Sequence, residues 1–295
     1  MGVARGTIKL LMLEGKREPF TGKILTIGKQ DVYATSEGIR KWAKELNYQL
    51  KIDVKMTLAN NKALRAKACV SDEVLFLSLG FDRLDSMDYS DYEKCTIVHD
   101  LNNDIPERLF NHYDLILDGG SSEHIFNIPK VFESYNKMLK VGGRIIHILP
   151  SSNYVDHGFY CFSPTLFYDY YSANKWEIID IFFIRQPAGL HAHIGDVYRY
   201  KPGGLDPLRN GGLEKGMYGL FVIVKKTKDS TFNAPVQQYL YTKHWHNNSK
   251  VNISWMRRWM KKIWMILPEW FKEIVRHQMV VRVPLRFYLK RIGRY

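Results

Sequence analysis

Tyr113-Asp114-Leu115-Ile116-Leu117-Asp118-Gly119-Gly120 decides how the rest of the chain is read. A short, almost uninterrupted apolar run closed by a glycine pair is the pattern of a strand buried on both faces, which a parallel sheet covered by helices requires. Upstream, Gly22-Lys23-Ile24-Leu25-Thr26-Ile27-Gly28 is a second such run, and residues 36–47 follow as a helix with Ser36 as the expected N-cap. Ser71-Asp72-Glu73 opens a helix through Leu79, and residues 83–88 and 95–100 read as strands. Downstream, residues 129–140 place Val131, Phe132, Tyr135, Met138 and Leu139 at helical spacing, with Gly142-Gly143 as the expected C-cap signal. A strand over 144–149, a helix opened by Ser163-Pro164, and strands over 176–184 and 219–225 complete the series. Strands alternating with helices, and two final strands with no helix between them, predict an open α/β sheet with an antiparallel strand near one edge. Ligands of such sheets sit at the carboxyl ends of the strands.

Composition narrows the class. The chain has 295 residues, 45% hydrophobic and 25% charged, which excludes disordered, collagen-like and membrane-spanning classes. Cys69, Cys95 and Cys161 form no CxxC pair, so neither a disulfide framework nor a zinc site is expected, and a reducing compartment is. No apolar window reaches the roughly 18 residues of a membrane span, and Gly6 stands where myristoylation would need Ser or Thr. A cytoplasmic location is the expectation.

The net charge of +13 is concentrated in residues 251–295, which hold 11 Lys/Arg against 2 Asp/Glu and four of the seven tryptophans. Arg257, Arg258, Lys261 and Lys262 form one helical stripe, and Trp255, Met256, Trp259, Met260, Ile263 and Trp264 the opposite one. Such a basic amphipathic helix fits either a peripheral position on the inner, anionic face of a membrane or an apolar face docked on protein, a homodimer partner included. Nucleic acid is not expected, because no reading module accompanies the charge. The organisation read here is an N-terminal extension (1–20), an α/β domain (21–228) with a helical insertion (48–70) and a substrate-lid loop (185–217), a linker (229–250), and the basic helical tail (251–295).

Over residues 20–226 the sequence resembles the class I S-adenosylmethionine-dependent methyltransferases. Lys23-Ile24-Leu25-Thr26-Ile27-Gly28 is similar to that family's first strand and glycine turn, residues 113–118 to its fourth strand, and Ser122-Glu123-His124-Ile125 to the segment after it. Leu139-Lys140-Val141-Gly142-Gly143-Arg144-Ile145-Ile146 is similar to its Leu-Lys-Pro-Gly-Gly-Arg stretch before the fifth strand. The resemblance implies a Rossmann-like seven-stranded sheet of order 3-2-1-4-5-7-6, its last strand antiparallel, and S-adenosyl-L-methionine as cofactor. The departure is the first loop, where Lys29-Gln30-Asp31 replaces further glycines.

By the same resemblance, Gly28, Gln30, Asp88, Asp100, Leu101, Asp118 and Gly119 are the expected cofactor residues. Asp88, or Asp85 as second choice, would take the ribose hydroxyls, Asp100 with Leu101 the adenine, and Asp118 the methionine ammonium unless it caps the following turn. A sulfonium methyl needs alignment, desolvation and removal of the acceptor proton, so no metal is required. His157 is the expected base, with Glu123 and His124 as second choices. Asn153, Tyr154 and Tyr160, with His191, His193 and Tyr198 of the lid, are expected to touch substrate. His191-Ala192-His193 with Asp196 lacks the third His or Cys of a convincing metal site. Oxygen of a small-molecule or glycan-like acceptor is favoured, since Gly119-Gly120-Ser121-Ser122 stands where nitrogen-methylating nucleic-acid enzymes carry Asn/Asp-Pro-Pro-aromatic. The competing expectation is a non-catalytic adaptor for membrane or assembly, its cleft filled by side chains such as Tyr33. A nicotinamide enzyme would need a Gly-x-Gly-x-x-Gly turn that the chain lacks.

Overall fold

In a computed structural model, residues 2–186, 195–208, 211–246, 262–272 and 284–295 are described. In chain order the elements are β1 (Gly2–Val3), α1 (Arg5–Arg17), β2 (Lys23–Ile27), β3 (Asp31–Val32), α2 (Ser36–Leu46), α3 (Lys62–Arg65), α4 (Asp72–Ser78), β4 (Arg83–Asp88), β5 (Ile97–Val98), β6 (Tyr113–Asp118), α5 (Ile128–Met138), β7 (Leu139–Ser152), α6 (Pro164–Ala173), β8 (Glu177–Gln186), β9 (Asp196–Arg199), β10 (Met217–Lys225), α7 (Tyr239–His246) and β11 (Lys290–Arg294). One sheet runs β11-β9-β8-β10-β7-β6-β2-β4-β5, and β1 pairs with β3 apart from it. β5, β4, β2, β6 and β7 are mutually parallel, whereas β10 runs antiparallel to both β7 and β8.

The sheet therefore has nine strands where seven are expected. The two additional ones, β9 and β11, pair antiparallel beyond β8. β9 lies inside residues 185–217, so that segment is not wholly a lid loop. β11 ends the basic tail as a strand rather than a helix, and Arg291 of β11 pairs with Asp196 of β9 at 2.8 Å. Of the tail's expected helical stripe, residues 254–261 lie outside the described residues, and residues 262–266 are helical. Residues 48–70 carry a single helical turn, α3, and otherwise extended or irregular backbone held by isolated bridges such as Thr35 to Cys69, so the helical insertion is corrected. Their lysines supply helix propensity but no apolar stripe to bury, and propensity alone sustains no helix.

Alternation across β2 divides the core. Leu25 and Ile27 join the cluster under α5 and α6, and Ile24 joins the cluster under α1, α2 and α4. α1 is thus part of the second layer rather than an appendage: Ile8, Leu11 and Met12 are buried, and Lys9 pairs with Glu45 of α2 at 2.6 Å. Thr35, not Ser36, caps α2, accepting from the Gly38 amide. α5 ends at Met138, because Leu139 is already extended and paired with Tyr113. Gly142 and Gly143 accordingly lie in β7 and do not cap a helix. Among the described residues no helix is long and apolar enough to cross a membrane.

Candidate active site

The parallel strands all end on one side of the sheet, and the chain leaves the central strand β2 for β4 and β5 before returning to its other neighbour, β6. A crevice forms at such a reversal. A cleft of about 200 Å³ opens there, walled by Gly28, Asp88, His99, Asp100, Leu101 and His124. A second cavity of about 570 Å³ lies beside it, with Tyr33, Gly119, Glu123, Tyr154, His157 and Tyr295 in its wall. The two share the turn from Gly119 to Ile125. A larger opening, about 810 Å³, lies away from this turn between residues 205–217 and the end of β7.

Gly28 has φ +75° and donates its amide to Met87 O at 2.7 Å, which a side chain would strain. Gln30 is buried, and its Nε2 donates to Ile27 O and Gly28 O. Its Oε1 has no hydrogen-bond partner among the described residues and sits where a Cβ on Gly119 would fall, 2.6 Å away. Asp100 accepts from the Asn102 amide at 2.9 Å and from both the Asn102 and Asn103 side chains, and the Asn102 amide, then its side chain, hold the carboxyl below the usual range. His99 Nε2 is a further buried polar atom without a hydrogen-bond partner among the described residues. Asp85 is spent elsewhere: it pairs with Arg83 at 3.1 Å and accepts from Tyr113.

Asp118 does not face a ligand. It is fully buried, and its carboxylate accepts from the Ser121 and Ser122 amides, from Ser122 Oγ at 2.6 Å and from His147 Nδ1 at 2.9 Å. His147 Nε2 in turn accepts from Tyr171 at 2.6 Å. The side chain thus caps the turn, and expecting it to bind the cofactor ammonium is corrected: every lone pair that could do so is engaged in the interior.

That capped turn delivers the catalytic candidates. Glu123 is 1% exposed, and burial, with Asp118 nearby, pushes its carboxyl up to about 8. Its Oε1 lies 3.6 Å from His157 Nε2 and 3.9 Å from His124 Nε2, and its Oε2 is buried with no hydrogen-bond partner among the described residues. Burial, then His157, lowers the His124 imidazole. His157 arrives from the loop after β7, whose Asn153 and Asp156 are left-handed at φ 63° and 61°. Phe159 and Tyr160 donate their amides to Glu123 O at 2.7 and 3.2 Å. Gly158 makes this approach possible, because a Cβ there would lie 2.8 Å from Glu123 O and 3.1 Å from His124 Nδ1.

The expected substrate residues divide. Tyr154 lines the larger cavity and donates to Gln186 at 3.3 Å. Asn153 turns to the separate opening and donates to Gly216 O at 2.6 Å. Tyr160 donates to Phe126 O and lines neither cavity of the cleft. Tyr198 is corrected: it is buried in the core with Phe183 and Tyr218, since β9 is a strand and not a cover. His191 and His193 lie outside the described residues. Sequence reasoning passed over His99, whose only signal was its place beside Asp100, and Tyr295, which carried none.

No protein-family model matches the chain, and no curated protein does. Among solved structures it is similar to an S-adenosylmethionine-dependent methyltransferase from Archaeoglobus fulgidus at 10% identity, over 75% of this chain and 96% of that one, with a TM-score of 0.38. Phosphoethanolamine N-methyltransferase 2 from Haemonchus contortus, solved with S-adenosylmethionine, gives 12% identity over 75% and 52%, with a TM-score of 0.39. TehB from Haemophilus influenzae gives 13% over 74% and 61%, with a TM-score of 0.35. Likenesses this distant assign no activity to the chain.

Proposed function

We propose that the chain transfers a methyl group from S-adenosyl-L-methionine to an oxygen of a small-molecule or glycan-like acceptor. The observation that carries the reading is the open cleft at the sheet's reversal point, which brings Gly28, Asp88, Asp100 and Leu101 together from three separate segments. The residues suit the cofactor: Asp88 ends β4 as an acceptor for ribose hydroxyls, and Asp100 offers a carboxylate to the adenine amine beside the apolar wall of Leu101. His99 Nε2 is left to be satisfied there, whereas Gln30, the other expected cofactor residue of the first loop, is buried beside Gly119 and lines neither the cleft nor the neighbouring cavity. When bound, the cofactor supplies a methyl carbon on a positively charged sulfur. The chain's own part is to align an acceptor in the neighbouring cavity, keep water from it, and engage its hydroxyl with Glu123, His124 and His157.

The adaptor reading expects a filled cleft. Here the cleft over Gly28 is open, and Tyr33 stands in the wall of the other cavity, which favours catalysis. The basic stripe at 257–262 is read as a contact with an anionic membrane surface, the protein otherwise residing in the cytoplasm.

Calorimetric titration with S-adenosylmethionine and with its demethylated product tests the proposal. Micromolar binding is expected, weakened about ten-fold or more, ~1.4 kcal/mol, by Asp88→Ala and by Asp100→Ala. Absence of binding to the folded protein at millimolar ligand would sink it.

A further inference from the structure

The geometry points to a divalent-metal site formed by Glu123, His124 and His157. One carboxylate oxygen and one nitrogen from each imidazole lie within 4.8 Å of one another. Ligands bound to a first-row metal at about 2.0–2.2 Å sit roughly 3–3.5 Å apart, so the 3.6 and 3.9 Å separations from Glu123 Oε1 need little closure. The second observation is independent of this spacing. Glu123 Oε2, the other oxygen of that carboxylate, is buried with no hydrogen-bond partner among the described residues, and an unpaired carboxylate oxygen in the interior is costly unless something completes it. A cation does so while taking one nitrogen from each imidazole.

The surroundings agree with a ligand set rather than a chance meeting. Two backbone amides fix Glu123 O, and Gly158 lets the His157 loop approach to a distance that no other residue permits. Two nitrogens and one carboxylate leave coordination positions open, as in catalytic sites and unlike closed structural ones. Those positions face ligand space, because Glu123 and His157 line the larger cavity and His124 lines the cleft. The class of ligand completing the metal is an oxygen donor, a hydroxyl or carboxylate of the acceptor. In that role the site deepens the methyl-transfer reading and replaces a lone imidazole as what engages the hydroxyl. As a metal site it stands without that reading.

The test is metal binding to the chelator-stripped full chain, with Zn²⁺ as calorimetric probe and Co²⁺ as spectroscopic probe. One equivalent of Zn²⁺ is expected, with visible Co²⁺ absorption of the intensity of a low-coordinate nitrogen and oxygen site. His157→Ala and Glu123→Gln should each weaken Zn²⁺ binding by about 100-fold or more, given that even outer partners of such sites count for about 10–100-fold. His112→Ala, remote from the cluster, should not. Thermal melting of the stripped variants separates lost ligation from lost fold, and the half-exposed His157 keeps the test alive should Glu123→Gln fail to fold. No binding at about 100 μM Zn²⁺, above which weak surface sites dominate, would overturn the site, as would binding retained in His157→Ala or lost instead in a His191→Ala, His193→Ala double variant. Parallel titration with S-adenosylmethionine keeps the two proposals apart: Zn²⁺ bound without the cofactor retires methyl transfer alone, and the reverse retires the metal alone.

Discussion

Asp169 shows how one buried acid can tune the molecule away from its cleft. It sits in α6, 7% exposed, with Oδ2 accepting from the Tyr239 amide at the start of α7. Burial raises its carboxyl above the ordinary value, outweighing that hydrogen bond. The folded state therefore holds the proton more tightly than the unfolded chain, so stability is fullest below the ordinary carboxylate range and falls as pH rises through the raised value. Asp169→Asn should flatten that limb in urea denaturation followed from pH 4 to 7, and an unchanged slope would refute the assignment. At this scale the sequence was legible where a residue's role is local. Gly28, Asp88 and Asp100 follow strands in the order expected, and each lines the cleft. Asp118 was misread because its partners include His147, brought beside it only by the pairing of β6 with β7. Glu123 and His157 likewise meet through the loop after β7, and no spacing in the chain records that contact.

Among elements, apolar strands announce themselves and charged ones do not. β2 and β6 coincide with apolar runs bounded by turn residues, since burial on both faces dictates their composition. β9 and β11 are rich in charge, and they hold their places by pairing with each other and by ion pairs such as Arg291 to Asp196. α1 was legible only as a short apolar patch, yet its Glu14 reaches Arg144 of β7 at 2.6 Å, with both side chains almost wholly buried. Arg144 also donates to Glu18 O and Pro19 O, so it pins the loop between α1 and β2. Removing one member of such a pair leaves a buried charge, and Glu14→Ala should cost about 3–5 kcal/mol in urea unfolding. A loss under about 1 kcal/mol would mean that Arg144 finds a substitute or water.

Across the whole molecule, charge is divided unevenly. The +9 of residues 251–295 rides on a body of +4, and β11 anchors the far end of that segment in the sheet. Deleting the segment would therefore strip an edge strand, and a clean test of membrane contact reverses charges instead. Arg257→Glu with Lys261→Glu should abolish co-sedimentation with anionic vesicles at low salt, where each basic residue near such a surface contributes about 1 kcal/mol. Sedimentation unaffected by the reversal would count against lipid and for protein as the partner of the tail.

The short turn at Ser122–His124 belongs to both chambers of the site, because Glu123 lines one and His124 the other. An occupant of either chamber therefore touches one part of the same short turn. If filling one chamber tightens the other by some factor, filling the second must tighten the first by that same factor, since binding energies around a closed cycle sum to zero. Coupled so, the protein would be a two-input device in which neither occupant is merely the other's bystander.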